Sequence, residues 1–156
     1  MVLRSLELRN FRAFRHFSME GLGRINLCVG TNNCGKTSVL EAVSILASRG
    51  RPEALWSSLA RRGEYWNDDN PRLPLRVEVD FCHLFHGHEL EAGSSFAIAA
   101  TNDTRRHSLT ATIVERANDA DNAEVDAQER LSTAQASLFV SGEADSSLIG
   151  RAALAL

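Results

Sequence analysis

Apolar and polar residues alternate at the start of the chain. Leu6 and Leu8 fall on one side and Glu7 and Arg9 on the other, which predicts a short half-buried strand within Val2 to Phe11, ending at Asn10. A second strand is predicted over Phe14 to Met19, and a turn follows at Gly21, Leu22 and Gly23. Ile25, Asn26, Leu27, Cys28 and Val29 then form a mostly apolar run, the pattern of a strand covered on both faces, and it leads directly into Gly30.

Beyond Thr37 the spacing changes from two to three and four. Val39, Leu40, Val43, Leu46 and Ala47 set the expected core face of a helix of about three turns, which Arg49, Gly50 and Pro52 end. A second helix is predicted from Pro52 to Arg62 around Leu55, Trp56 and Leu59, before a polar loop from Asn67 to Pro71. Leu73, Leu75, Val77, Val79 and Phe81 alternate with polar or breaking residues, as in a strand with one wet face. Two antiparallel strands are expected over Ser95 to Thr101 and Ser108 to Glu115, joined by Asn102, Asp103 and Thr104. Ala117 to Arg130 reads as an exposed linker or weak helix, because large apolar groups are scarce there. Ala136 to Val140 is a short strand candidate, and Ser146 to Leu156 has no clear period.

Composition narrows the class. The chain has 156 residues, 44% hydrophobic and 24% charged, which is the make-up of a globular protein with one domain's worth of core. A net charge of -3 does not call for a nucleic-acid surface, although Arg4, Arg9, Arg12, Arg15, Arg24 and Lys36 make the first quarter locally basic. No apolar run approaches the ~20 residues needed to cross a membrane, and the N-terminus has no signal-peptide pattern. A cytoplasmic location without membrane association is the expectation. Cys28, Cys34 and Cys82 are odd in number and lack C-x-x-C spacing, so they are read as reduced thiols.

The most specific chemistry lies at residues 30–37. Gly30-Thr31-Asn32-Asn33-Cys34-Gly35-Lys36-Thr37 fits the phosphate-loop pattern G-x-x-x-x-G-K-[ST] at every fixed position. Gly30 and Gly35 permit dihedrals and a close approach that a side chain would block, while amides from about Asn33 to Thr37 face an anion at the positive end of a helix. Lys36 is placed to meet the β- and γ-phosphates of ATP, and Thr37 offers a hydroxyl to magnesium. These two are the candidate catalytic residues, with Thr37 the metal ligand; Gly30, Thr31, Asn32, Asn33, Cys34, Gly35 and Ser38 complete the expected loop contacts. Cys34 has two readings, a redox switch at a helix start or a small residue tolerated in a variable slot.

The flanks point to a family. Leu6, Leu8, Asn10, Phe11, Arg12 and Phe14, then Ile25, Asn26, Gly30, Asn32, Asn33, Gly35, Lys36 and Thr37, then Leu40, Glu41 and Ala42, resemble the opening of the RecF/SMC/OLD group of ABC-type AAA ATPases. The likeness is specific over residues 1 to about 48. More vaguely, Leu84-Phe85-His86-Gly87 and Gly93 to Ile98 look like the antiparallel portion of OLD-like ATPases. The resemblance implies an α/β P-loop core joined to an antiparallel β subdomain, with ATP and Mg2+ as cofactors. It also implies that Arg12 lies near the nucleotide's base or phosphates, and that the parent protein hydrolyses ATP in DNA repair, DNA maintenance or phage defence. A homodimer or partner chain would complete the site, and DNA is a partner of the parent.

Such heads also carry a Walker B strand ending in Asp-Glu and a Ser-Gly-Gly signature, and neither is identified here. Ser141-Gly142-Glu143 has one glycine too few. The expected organisation is an N-terminal lobe over residues 1–116 with the P-loop at 30–37, a linker over 117–130, and an incomplete C-terminal segment over 131–156, as in the N-terminal half of a longer head. Two competing readings are a complete small NTPase or kinase using Asp80 as the Walker B carboxylate, and a nonenzymatic interaction module derived from a truncated ATPase. Cys82, His83, His86, His88 and Glu89 offer metal donors, but their spacing matches no tetrahedral pattern, so an exposed polar turn is expected there.

Overall fold

The computed structural model describes residues 2–67, 77–115, 136–142 and 149–154. The two predicted opening strands are present and form a hairpin: β1 (Leu3–Phe11) pairs antiparallel with β2 (Phe14–Glu20), with Leu6 opposite Met19 and Phe11 opposite Phe14. Arg12 and Ala13 make the turn, and Arg12 adopts a left-handed φ of 49°. The other edge of β1 pairs with β5 (Ser95–Asn102), which pairs with β6 (Arg106–Glu115). The expected turn between these two strands is closed by Asn102 Oδ1, which accepts from the amides of Thr104 and Arg105 at 3.0 and 2.7 Å.

β7 (Ala136–Gly142) and β8 (Ile149–Leu154) extend the sheet, giving the order β2-β1-β5-β6-β7-β8 with every neighbour antiparallel. β7 was legible as a short apolar run. β8 was not, because small residues such as Gly150, Ala152 and Ala153 carry little period.

One face of this sheet is dry. Leu6 and Leu8, Phe96, Ile98 and Ala100, and Leu109, Ala111 and Ile113 are buried at alternate positions, each large one contributing roughly 1.5–3 kcal/mol by leaving water. Helix α1 (Lys36–Ala47) packs against β5 and β6, and helix α2 (Pro52–Ala60) packs beside it. The core face of α1 overlaps the expected one but is rotated from it: Ser38, Val39, Ala42 and Ile45 are buried and Val43 and Leu46 pack partly against the core, whereas Ala47 is exposed and Leu40 is 67% exposed. Both stripes satisfy a 3.6-residue period, and only packing on the sheet chooses between them. In α2, Leu55 and Leu59 are buried as expected and Trp56 faces outward.

The helices are followed by a small two-stranded sheet of β3 (Tyr65–Asn67) and β4 (Val77–Val79). A 3-10 helix at Phe81–Leu84 comes next. It is stitched to the opening hairpin, since Arg12 N donates to Leu84 O and His86 N donates to Asn10 O, each at 2.9 Å. Of the alternating run expected from Leu73 to Phe81, only Val77–Val79 is a described strand; residues 73–76, most of the Asn67 to Pro71 loop and the 117–130 linker lie outside the described residues.

The largest departure concerns residues 25–29. Ile25, Leu27 and Val29 are 93%, 85% and 79% exposed, and no described strand pairs with this segment. Asn26 closes a local turn instead, accepting from Gly23 N at 2.9 Å and donating to Gly23 O at 3.0 Å. The expected buried strand is therefore corrected to an unpaired, exposed segment. An apolar run reports what a chain is suited to bury, and the described elements supply nothing to cover it.

Candidate phosphate site

The sequence between Gly30 and α1 builds a concave stretch of backbone. Asn33 and Gly35 take left-handed conformations, with φ of 64° and 92°, and α1 then begins at Lys36. Gly35 is required there twice over. Its φ lies where L side chains are strained, and a Cβ at this position would overlap the ring of Phe14. No side chain caps α1 and no acidic residue occupies its first turn, so its leading amides and positive dipole end are left for an anion.

Lys36 folds back over the loop. Its Nζ donates to Gly30 O at 2.9 Å and to Thr31 O at 2.6 Å, and lies 3.8 Å from Cys34 Sγ. An ammonium held by two exposed carbonyl oxygens of its own loop can exchange them for phosphate oxygens with little movement. Cys34 is exposed and its sulfur fills the space beside Gly30, where an added Cβ would stand 2.7 Å from Sγ.

A cavity of about 640 Å³ opens beside the loop, lined by Asn32, Asn33, Gly35, Lys36, Thr37 and Ser38 on one side. Thr37 is exposed and Ser38 is buried to 3%. Arg12, Arg62, Glu64, His83 and His88 supply much of the opposite wall. Motif reasoning finds the first set and Arg12. It misses the others, which follow no spacing rule and reach the cavity through the packing of α2 and the 3-10 helix on the hairpin.

Arg12 lines the cavity, but its donors are taken by protein groups. Nη1 donates to both Glu64 carboxylate oxygens at 2.9 Å and approaches His83 O at 3.3 Å, while Nη2 donates to Ser58 Oγ at 3.0 Å. Its Nε is 2.7 Å from Glu41 Oε2, an ion pair without the alignment of a hydrogen bond. Glu41 also holds Arg62 through contacts of 2.7 and 3.0 Å, and that hydrogen bonding raises the Arg62 guanidinium pKa above its ordinary value. The cluster ties the hairpin to both helices.

Asp80 does not line the cavity. Its Oδ1 accepts from Cys82 N at 3.0 Å, capping the 3-10 helix, and its Oδ2 is 3.5 Å from His83 Nε2. Among the described residues, the strand before it pairs only with β3, outside the six-stranded sheet. Burial, and then the hydrogen bond to Asp80, push the Cys82 thiol up to about 12. Ser141 and Gly142 end β7, and Glu143 lies outside the described residues. Among the described residues, no helix is long and apolar enough to cross a membrane.

Comparison with known proteins agrees with the loop. A family model described as an AAA ATPase domain matches residues 1–135. The DNA replication and repair protein RecF of Thioalkalivibrio sulfidiphilus is 44% identical over 48 residues, covering 31% of this chain and 13% of that protein. RecF of Chlorobium phaeovibrioides is 49% identical over 47 residues, 30% of this chain and 13% of its own length. An uncharacterized protein of Methanocaldococcus jannaschii is 32% identical over 65 residues, 42% of this chain and 30% of that protein. The matched segment thus spans less than a third of each of these curated relatives.

Proposed function

The chain belongs to the AAA ATPase domain family, its opening segment being of the RecF/SMC type, and from that premise we propose that it binds ATP with magnesium at residues 30–37. The observation that carries this reading is the conjunction of Lys36, the left-handed Asn33 and Gly35, and the uncapped start of α1 around one cavity. The amides of residues 33–37 hold the β- and γ-phosphates, Lys36 exchanges its loop carbonyls for phosphate oxygens, and the Thr37 hydroxyl takes a place on magnesium. Gly30, Thr31, Asn32, Cys34 and Ser38 shape the loop. Arg12 we assign to holding the cavity wall, because its guanidinium is committed to Glu41 and Glu64.

In the parent protein, hydrolysis is in-line attack of water on the γ-phosphate, with Lys36 stabilising the charge that develops on the phosphoryl oxygens. Bound magnesium supplies further charge neutralisation. Among the described residues, the carboxylate on the cavity wall, Glu64, is paired with Arg12, so the group that positions water lies outside this described wall. The exposed Ile25, Leu27 and Val29 also support a site completed by further residues, since this apolar segment calls for a cover. The RecF relatives' description as DNA replication and repair proteins supports DNA as the parent's working partner.

Competition against a fluorescent ATP analogue tests the reading. ATP with magnesium should displace the analogue far better than AMP, and chelation of magnesium should weaken it. Equal displacement by ATP and AMP would rule out a site built around the β- and γ-phosphates.

A further inference from the structure

The chain brings three metal-donor side chains together on the 3-10 helix and the turn after it. One ligand atom from each of Cys82, His83 and His88 lies within 4.8 Å of the other two. Along the sequence these residues have no regular metal spacing; the fold creates the cluster. Phe81 and Leu84 are buried and anchor the 3-10 helix, while Gly87 and His88, with φ of 86° and 62°, turn the chain back so that the His88 ring stands 4.7 Å from that of His83, edge toward face.

We propose that Cys82, His83 and His88 form a binding site for a single Zn2+-like transition-metal ion. A thiolate and two imidazoles suit zinc, and bond lengths of about 2.0–2.3 Å put neighbouring donors in a tetrahedral shell roughly 3.3–3.8 Å apart. The observed spacing closes to that by side-chain rotation, and His88, which is exposed, is free to make it. Asp80 Oδ2, 3.5 Å from His83 Nε2, is the carboxylate partner that orients a ligating imidazole, and Asp80 Oδ1 fixes the backbone of Cys82. Binding releases the Cys82 thiol proton to solvent as the sulfur becomes a thiolate ligand. Three protein donors leave a fourth position, and because His83 and His88 also line the cavity that holds Lys36 and Thr37, the ion stands at the rim of the phosphate site.

Cobalt(II) titration of the chelator-stripped full chain tests the site. One equivalent should produce a near-ultraviolet thiolate-to-cobalt band with the visible bands of a tetrahedral ion, and Zn2+ should abolish both. Cys82→Ser should lose the thiolate band, His88→Ala, at an exposed position, should lose the tetrahedral spectrum, and Asp80→Asn should weaken binding by about 10–100-fold. A double Cys28→Ser, Cys34→Ser variant should keep the full spectrum. The site is overturned if the wild-type chain gives no thiolate band, if the band survives Cys82→Ser, or if it depends on Cys34. None of these outcomes depends on nucleotide binding, so the two assignments stand or fall separately.

Discussion

Arg12 Nη1 donates to both carboxylate oxygens of Glu64 at 2.9 Å, with the two side chains only 4% and 13% exposed. Together with Glu41 and Ser58, this pair crosses from the first hairpin to both helices. Removing one partner of a buried pair leaves the other charge uncompensated. Arg12→Ala is therefore expected to destabilise the fold by about 3–5 kcal/mol in urea denaturation. Arg12→Lys should restore only part of this, because an ammonium cannot reproduce the fork. An Arg12→Ala protein of unchanged stability would mean that the cluster does not hold the hairpin.

Gly35 should be intolerant of even a methyl group. Its φ of 92° and the ring of Phe14 both act against a side chain, and the strain of a non-glycine residue there costs about 1–3 kcal/mol. Gly35→Ala is expected to show that loss of stability together with loss of ATP binding. Full ATP affinity in this variant would show that the loop conformation is not the one that grips phosphate.

The three cysteines should separate by reactivity. Cys28 and Cys34 are exposed, whereas the thiol of the half-buried Cys82 is pushed up to about 12 by burial and then by Asp80, which keeps it protonated at neutral pH. As pH rises from 7 to 9, iodoacetamide should modify Cys28 and Cys34 well before Cys82, followed by peptide mass spectrometry. ATP with magnesium should slow modification of Cys34 alone. Rapid alkylation of Cys82 at neutral pH would contradict its half-buried, Asp80-bonded placement.

How much could be read from the residues alone depended on whether the forces were local. The alternation of Leu6 and Leu8 located β1, and the phosphate-loop pattern placed Gly35 and Lys36 at the start of α1. Leu40 and Val39 could not be ranked, since the core face of α1 is chosen by the sheet beneath it. The resemblance puts Arg12 near the nucleotide, and Arg12 does line the cavity, whereas its pairing with Glu64, 52 residues away, is made by packing and has no spacing to announce it. The Cys82, His83 and His88 cluster was hidden for the same reason: the turn at Gly87 and His88 makes it.

The exposed apolar segment at residues 25–29 should affect association more than folding. Leu27 is 85% exposed, so Leu27→Ser should change unfolding free energy by no more than about 0.5 kcal/mol. In sedimentation velocity the same variant should show weaker concentration-dependent association than the wild type. A large loss of intrinsic stability would place Leu27 in a core that the fold described here does not contain.

The central claim is that residues 30–37 grip a triphosphate through Lys36. Calorimetric titration of wild-type and Lys36→Ala chains with ATP and magnesium tests it most directly. Loss of a charged hydrogen-bond donor worth about 1.5–3 kcal/mol should weaken binding roughly 10–150-fold, against saturable binding at one ATP per wild-type chain. Equal affinity and equal heat in both proteins would contradict the account.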